Sequence, residues 1–111
     1  MATTIKVQVP GRFYYDWSCV AEGYEIDAIN GLAPKVAMTT IAKLDSATRI
    51  KCGKGFVLNL ELTFDEAKFL KDEAWYRYEF NGTNAYEVSN KDYASARAAK
   101  KLFDTLAKKM Q

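Results

Sequence analysis

The chain has 111 residues, 49% of them hydrophobic and 27% charged, with a formal net charge of +2. That length supports one domain with its own core and is too short for two. A 14% aromatic content argues against a disordered chain, and the absence of any histidine removes imidazole acid–base catalysis, Ser-His and Cys-His pairs and most zinc and iron sites.

In chain order, Ile5, Val7 and Val9 alternate with polar residues, which predicts a first strand over Thr3 to Val9 ended by Pro10-Gly11. Arg12-Phe13-Tyr14-Tyr15-Asp16-Trp17 is the densest aromatic cluster and reads as a packed loop in preference to a short helix running to Glu22. Residues 24–34, with the Asn30-Gly31 turn signal and Pro34, read as irregular or a short hairpin. Val36 to Leu44, rich in β-branched and apolar residues, reads as a second strand, and Asp45-Ser46-Ala47 as a turn. Thr48 to Cys52 is a third strand, with Arg49 and Lys51 on one face and Ile50 and Cys52 on the other. Gly53-Lys54-Gly55 turns the chain into a fourth, where Phe56, Leu58, Leu60 and Leu62 alternate with Val57, Asn59 and Glu61.

Thr63-Phe64-Asp65-Glu66 then has the form of a capping box, and Ala67, Leu70, Ala74 and Tyr78 follow at helical spacing. The helix is expected to run to about residue 79 and stop at Asn81-Gly82; the competing reading pairs 75–80 with 84–88 as a hairpin. Asn90 is a credible N-cap for a last helix over Lys91 to Lys109, whose apolar row is Tyr93, Ala96, Phe103, Leu106 and Met110, with Ala99 between. The expected fold is therefore α+β: a small antiparallel sheet of about four strands with a meander core, one face covered by two C-terminal helices.

Charge is patterned along the chain. Residues 43–54 carry a net of +3 and residues 90–111 a net of +4, separated by −4 over residues 55–89. No apolar run is long enough for a leader or a membrane span, and Met1-Ala2-Thr3-Thr4 reads as a cytosolic start. Cys19 and Cys52 match no metal or redox spacing and read as buried, inert thiols. No phosphate-binding glycine loop occurs, and Asp16, Glu22, Glu25 and Asp27 read as solvated acids; neither catalysis, a cofactor nor a metal site is expected.

Two binding readings remain. Arg12, Tyr14, Tyr15 and Trp17 have the composition of a protein-interface hot spot, facing a protein partner or a second copy of the chain. Arg49, Lys51, Lys54, Lys100, Lys101 and Lys108 instead point to nucleic acid, with exposed aromatics beside them to stack bases.

Three stretches taken in order carry a resemblance. They are Val9-Pro10-Gly11-Arg12-Phe13-Tyr14-Tyr15-Asp16, then Leu62-Thr63-Phe64-Asp65-Glu66 with Asp72-Glu73-Ala74-Trp75-Tyr76, and Ser95-Ala96-Arg97-Ala98. They resemble small accessory proteins encoded by bacteriophages and related mobile elements, over about half the chain. Trp17 and Ser18 depart from that pattern, which has a histidine followed by a charged or aliphatic residue. The family has no assigned activity, so the resemblance implies a context and assigns no residue a role. That context is a phage protein in the host cytoplasm that binds host or phage machinery, for example to inhibit a defence system.

Overall fold

The computed structural model describes residues 4–83 and 90–111, with side chains described over 4–79 and 94–111. The element order is β1 (Thr4–Pro10), α1 (Gly11–Ile29), α2 (Lys35–Ser46), β2 (Thr48–Cys52), β3 (Gly55–Thr63), α3 (Phe64–Thr83) and α4 (Asn90–Lys109). The class is α+β, with an antiparallel sheet as expected. Among the described residues, however, it has three strands and four helices.

The three strands lie in the order β1-β3-β2. Ile5, Val7 and Val9 of β1 stand opposite Leu62, Leu60 and Leu58 of β3, so both apolar sets share one face. Val9, Leu58 and Leu62 are almost fully buried there, while Lys6, Gln8, Asn59 and Glu61 occupy the open face. In the β2–β3 hairpin Cys52 pairs with Gly55 around Gly53 and Lys54, and Gly53 has φ +60. A positive φ at the first central position only is the mark of a II′ turn, whose twist matches that of the strands.

The segment expected as a second strand, Val36 to Leu44, is helix α2. Its buried residues are Ala37, Thr40, Ile41 and Leu44, a helical i, i+3, i+4, i+7 set. Pro34 precedes the helix, supplying a fixed φ without an amide to satisfy. The Thr40 hydroxyl donates to the Val36 carbonyl at 2.7 Å, which lets a polar residue sit in the core.

The aromatic cluster read as a loop, and residues 24–29 of the region expected to be irregular, form the single helix α1, while residues 30–34 are the turn that Asn30-Gly31 signalled. Phe13 and Trp17 are buried, and Tyr14, Val20, Ala21 and Tyr24 pack partly against the same core. Gly11 opens this helix hard against the sheet: a Cβ there would lie 2.9 Å from both the Phe56 carbonyl oxygen and its ring. A side chain at this position would force helix and strand apart.

The Thr63–Glu66 capping box forms as expected. The Glu66 amide donates to the Thr63 hydroxyl at 3.2 Å, and the Thr63 amide donates to Glu66 Oε1 at 2.9 Å. The same Oε1 accepts from Lys43 Nζ of α2 at 2.5 Å, so the cap also ties α2 to α3. Burial pushes the Glu66 carboxyl upward, but the hydrogen bonds from Lys43 and the Thr63 amide outweigh it and hold the group below its ordinary range.

Ala67, Leu70 and Ala74 are fully buried on α3, with Tyr78 packed partly against them. The helix passes through 75–80 to Thr83, so Asn81-Gly82 falls within it and the hairpin does not form; residues 84–88 lie outside the described residues. Helix α4 begins at Asn90 and buries Ala96, Ala99, Leu102 and Leu106. Phe103 and Met110, expected in that row, are only partly buried, and the Tyr93 side chain lies outside the described residues. Instead of lying across the sheet, α4 packs chiefly on α3 and also meets the edge strand β1. The Trp75 ring meets Phe103 with centroids 4.9 Å apart at that helix–helix contact.

Candidate functional site

The structure splits the aromatic cluster of residues 12–17 by helical phase. Phe13 and Trp17, four apart, face inward and stack at 6.2 Å with planes 14° apart. Trp17 is 1% exposed, meets the Phe69 ring edge-on, and its indole donates to Glu73 Oε2 at 3.2 Å. It therefore has no surface to offer a partner. Tyr24 donates to the other Glu73 oxygen at 2.5 Å, and burial followed by that bond drives its hydroxyl pKa strongly upward. Glu73 is thus a shared acceptor for two aromatic side chains of α1, an anchor that residue spacing alone does not disclose.

Arg12 and Tyr15, three apart on the outward face, remain accessible, and Tyr15 is 58% exposed. Tyr14 is half-buried, donates to Asp45 Oδ1 at 2.8 Å, and has its pKa raised by that bond and by burial. Tyr15 touches the neighbouring Tyr14 ring at 6.0 Å and, across the fold, Phe56 at the start of β3, where the rings meet edge to face at 5.7 Å and 85°. Over the same Phe56 ring lies the Arg49 guanidinium of β2, 4.8 Å from the centroid. Arg49 and Lys51 emerge on the face of β2 that carries Leu58 and Phe56 across the ladder, which explains how an exposed edge strand reaches the aromatic pair. The result is a platform of Tyr15, Phe56 and Arg49, with Tyr14 and Asp45 bracing its side. Phe56 was read from the sequence only as a strand residue; its position opposite Lys51 depends on register and its proximity to α1 on the fold.

The six basic residues considered for nucleic acid do not converge. Arg49, Lys51 and Lys54 belong to the β2 edge and its turn, whereas Lys100, Lys101 and Lys108 belong to α4 beside β1, the opposite edge. Lys100 is also paired with Asp104 at 2.6 Å.

Both cysteines are exposed, contrary to the expectation of burial, because Cys19 falls on the outward side of α1 and Cys52 at the end of the hairpin. Asp16 keeps one buried oxygen, Oδ2, without a hydrogen-bond partner among the described residues. Trp75 and Tyr76, which fall off the α3 stripe, are partly and largely exposed, and Ile26, Ile29 and Leu32 form an exposed apolar tip where α1 turns toward α2. Among the described residues no helix is long and apolar enough to cross a membrane, and no group of three or more acidic or cysteine side chains is placed to hold a metal ion. Comparison with protein-family models, curated proteins and solved structures finds no match.

Proposed function

We propose that this chain is a non-catalytic accessory protein that acts by binding another protein through the Tyr15–Phe56–Arg49 platform, with Arg12 at its rim. The observation that carries this reading is an exposed tyrosine held edge-on against a ring whose face carries an arginine. Tyr and Arg dominate binding energy at protein interfaces, and side chains already ordered in the free protein lose little entropy on binding. The resemblance to phage-encoded accessory proteins supplies a setting in which the partner is a host or phage protein, such as a component of a defence system. Nucleic-acid binding through Arg49, Lys51, Lys54, Lys100, Lys101 and Lys108 is the alternative, and it has less support because those residues divide between two edges of the sheet.

The test is photocrosslinking in a bacterial host, with a photoreactive amino acid replacing Tyr15 in one strain and the remote, exposed Lys68 in another. A discrete adduct at position 15 that is absent at position 68 and lost on Arg49→Ala is expected. With the purified partner, Tyr15→Ala should then weaken binding by about 30-fold, as hot-spot truncations do. The same ladder of adducts at both positions, or none at position 15, would refute the platform.

A further inference from the structure

Where α4 passes the β1 edge, it and the open face of the sheet enclose a concavity of about 320 Å³. This cleft lies apart from the Tyr15 platform. Lys101 and Lys109 reach it from α4, eight residues and so about two turns apart, and Lys6 reaches it from β1. Three cations line it, and no carboxylate does. None of the three lysines is paired with a carboxylate among the described residues, whereas their neighbour Lys100 is held by Asp104. The nearest opposing charge by register is Glu61, across the ladder from Lys6, and it accepts from the Thr4 hydroxyl at 2.5 Å.

Lys109 lies in the last turn of α4, where a cation offsets the helix dipole, but Lys6 and Lys101 have no such reason to be there. The remaining lining is not that of a bare charged surface. Gln8 and Asn59, cross-strand partners on the open face, present two amides side by side, and the half-buried Pro10 and Val57, also cross-strand partners, add an apolar pair. Lysines spaced along α4 and on β1, a pair of amides on the sheet face and the apolar Pro10–Val57 pair in the next row of the ladder suit a ligand with a phosphate group and a flat polar ring.

We infer that the cleft between α4 and the open face of β1 and β3 binds a phosphate-bearing ligand of nucleotide size. Lys6, Lys101 and Lys109 would take the phosphates, and Gln8 and Asn59 the ring edge. The phosphate can belong to a free nucleotide or to one unit of a single strand, and the measurement separates these sources.

The experiment is calorimetric titration of the full chain with inorganic triphosphate, a nucleoside triphosphate and a short single-stranded oligonucleotide at low and moderate salt. Lys6→Glu and Lys101→Glu are compared with Lys54→Glu, a reversal of equal charge in the β2–β3 turn. All three lysines are exposed, so the fold should survive each change, and far-UV circular dichroism checks that it does. Loss of a charge-assisted phosphate contact should weaken binding by about tenfold in the two cleft variants, with Lys54→Glu near the wild type. Saturable binding of the triphosphates with this pattern supports a free nucleotide. Binding of the oligonucleotide alone with the same pattern supports a strand, with a salt slope that falls by about one per lysine removed. Equal weakening by Lys54→Glu would reduce the effect to net charge and overturn the site, as would no binding of any probe at low salt.

Discussion

Replacing Trp17 by alanine separates the core reading of this residue from an interface role more sharply than any other single change. Trp17 is the largest fully buried side chain among the described residues; it stacks on Phe13, meets Phe69 edge-on and donates to Glu73. Core Trp-to-Ala changes cost about 3–5 kcal/mol, combining lost transfer energy with the cavity left behind. Glu73 keeps the Tyr24 hydroxyl as a donor, so it is not stranded and adds little to that figure. For a domain of this size the loss corresponds to a fall in Tm of about 10–20 °C, a large part of a typical stability of about 5–15 kcal/mol. Tyr15→Ala, two positions earlier, gives up an edge-to-face contact with Phe56 and a tilted contact with Tyr14 on an exposed ring, and should cost about 1.5 kcal/mol or less. Urea unfolding followed by far-UV circular dichroism measures both. A Trp17→Ala protein within about 1 kcal/mol of the wild type would show that the ring is not core, and the division of α1 into a buried and a binding face would fall.

Two further outcomes test the frame that holds the platform. Gly11→Ala places a methyl 2.9 Å from the Phe56 backbone and ring, so it should destabilise by about 1–3 kcal/mol in the same unfolding assay. Because Phe56 is also the ring beneath Arg49, it should weaken partner binding too. Glu66, 4% exposed, has a carboxyl held below its ordinary range in the folded protein. Its stabilisation is therefore complete above the unfolded-chain value of about 4.3 and is lost as pH falls through the lower folded value. Glu66→Gln preserves an acceptor for the Thr63 amide but not the charge facing Lys43. Its deficit in urea midpoint should be largest near neutrality and shrink in acid; a deficit independent of pH would assign the effect to shape alone.

The strands were legible because each of β1, β2 and β3 alternates with period two, and the start of α3 because its cap needs only four adjacent residues. The helices α1 and α2 were not read as such, for different reasons. In α2 the buried spacing is helical, but Val36, Thr39, Thr40 and Ile41 give the segment strand-like composition, and tertiary packing overrode that preference. In α1 the Pro10-Gly11 break and the prominent aromatic run suggested a loop, while the telling signal was Phe13, Trp17, Ala21 and Tyr24 at steps of four and three. The same misreading hid the site. Once residues 11–29 are a helix, Tyr15 diverges from Trp17 while Tyr14 stays at the edge of the core, and the cross-fold partner of Tyr15 comes from a strand some forty residues later.

The placement of β3 between its neighbours sets an order of events during synthesis. β1 has no strand to join until β3 has been made, since Pro10 pairs with Val57 and Thr4 with Thr63. At about 5–20 residues per second the nascent first strand waits on the order of several seconds. Throughout that interval the Phe13 and Trp17 rings that follow it lack the β3 and α3 surfaces they later cover. Once β3 is made, the β2–β3 hairpin closes over the two-residue Gly53-Lys54 turn whereas β1 must close a far longer loop, so loop-closure entropy favours the hairpin forming first. A nascent chain stalled before β3 would present an unpaired strand and a greasy helix face together, which is the state a cell's chaperones would meet.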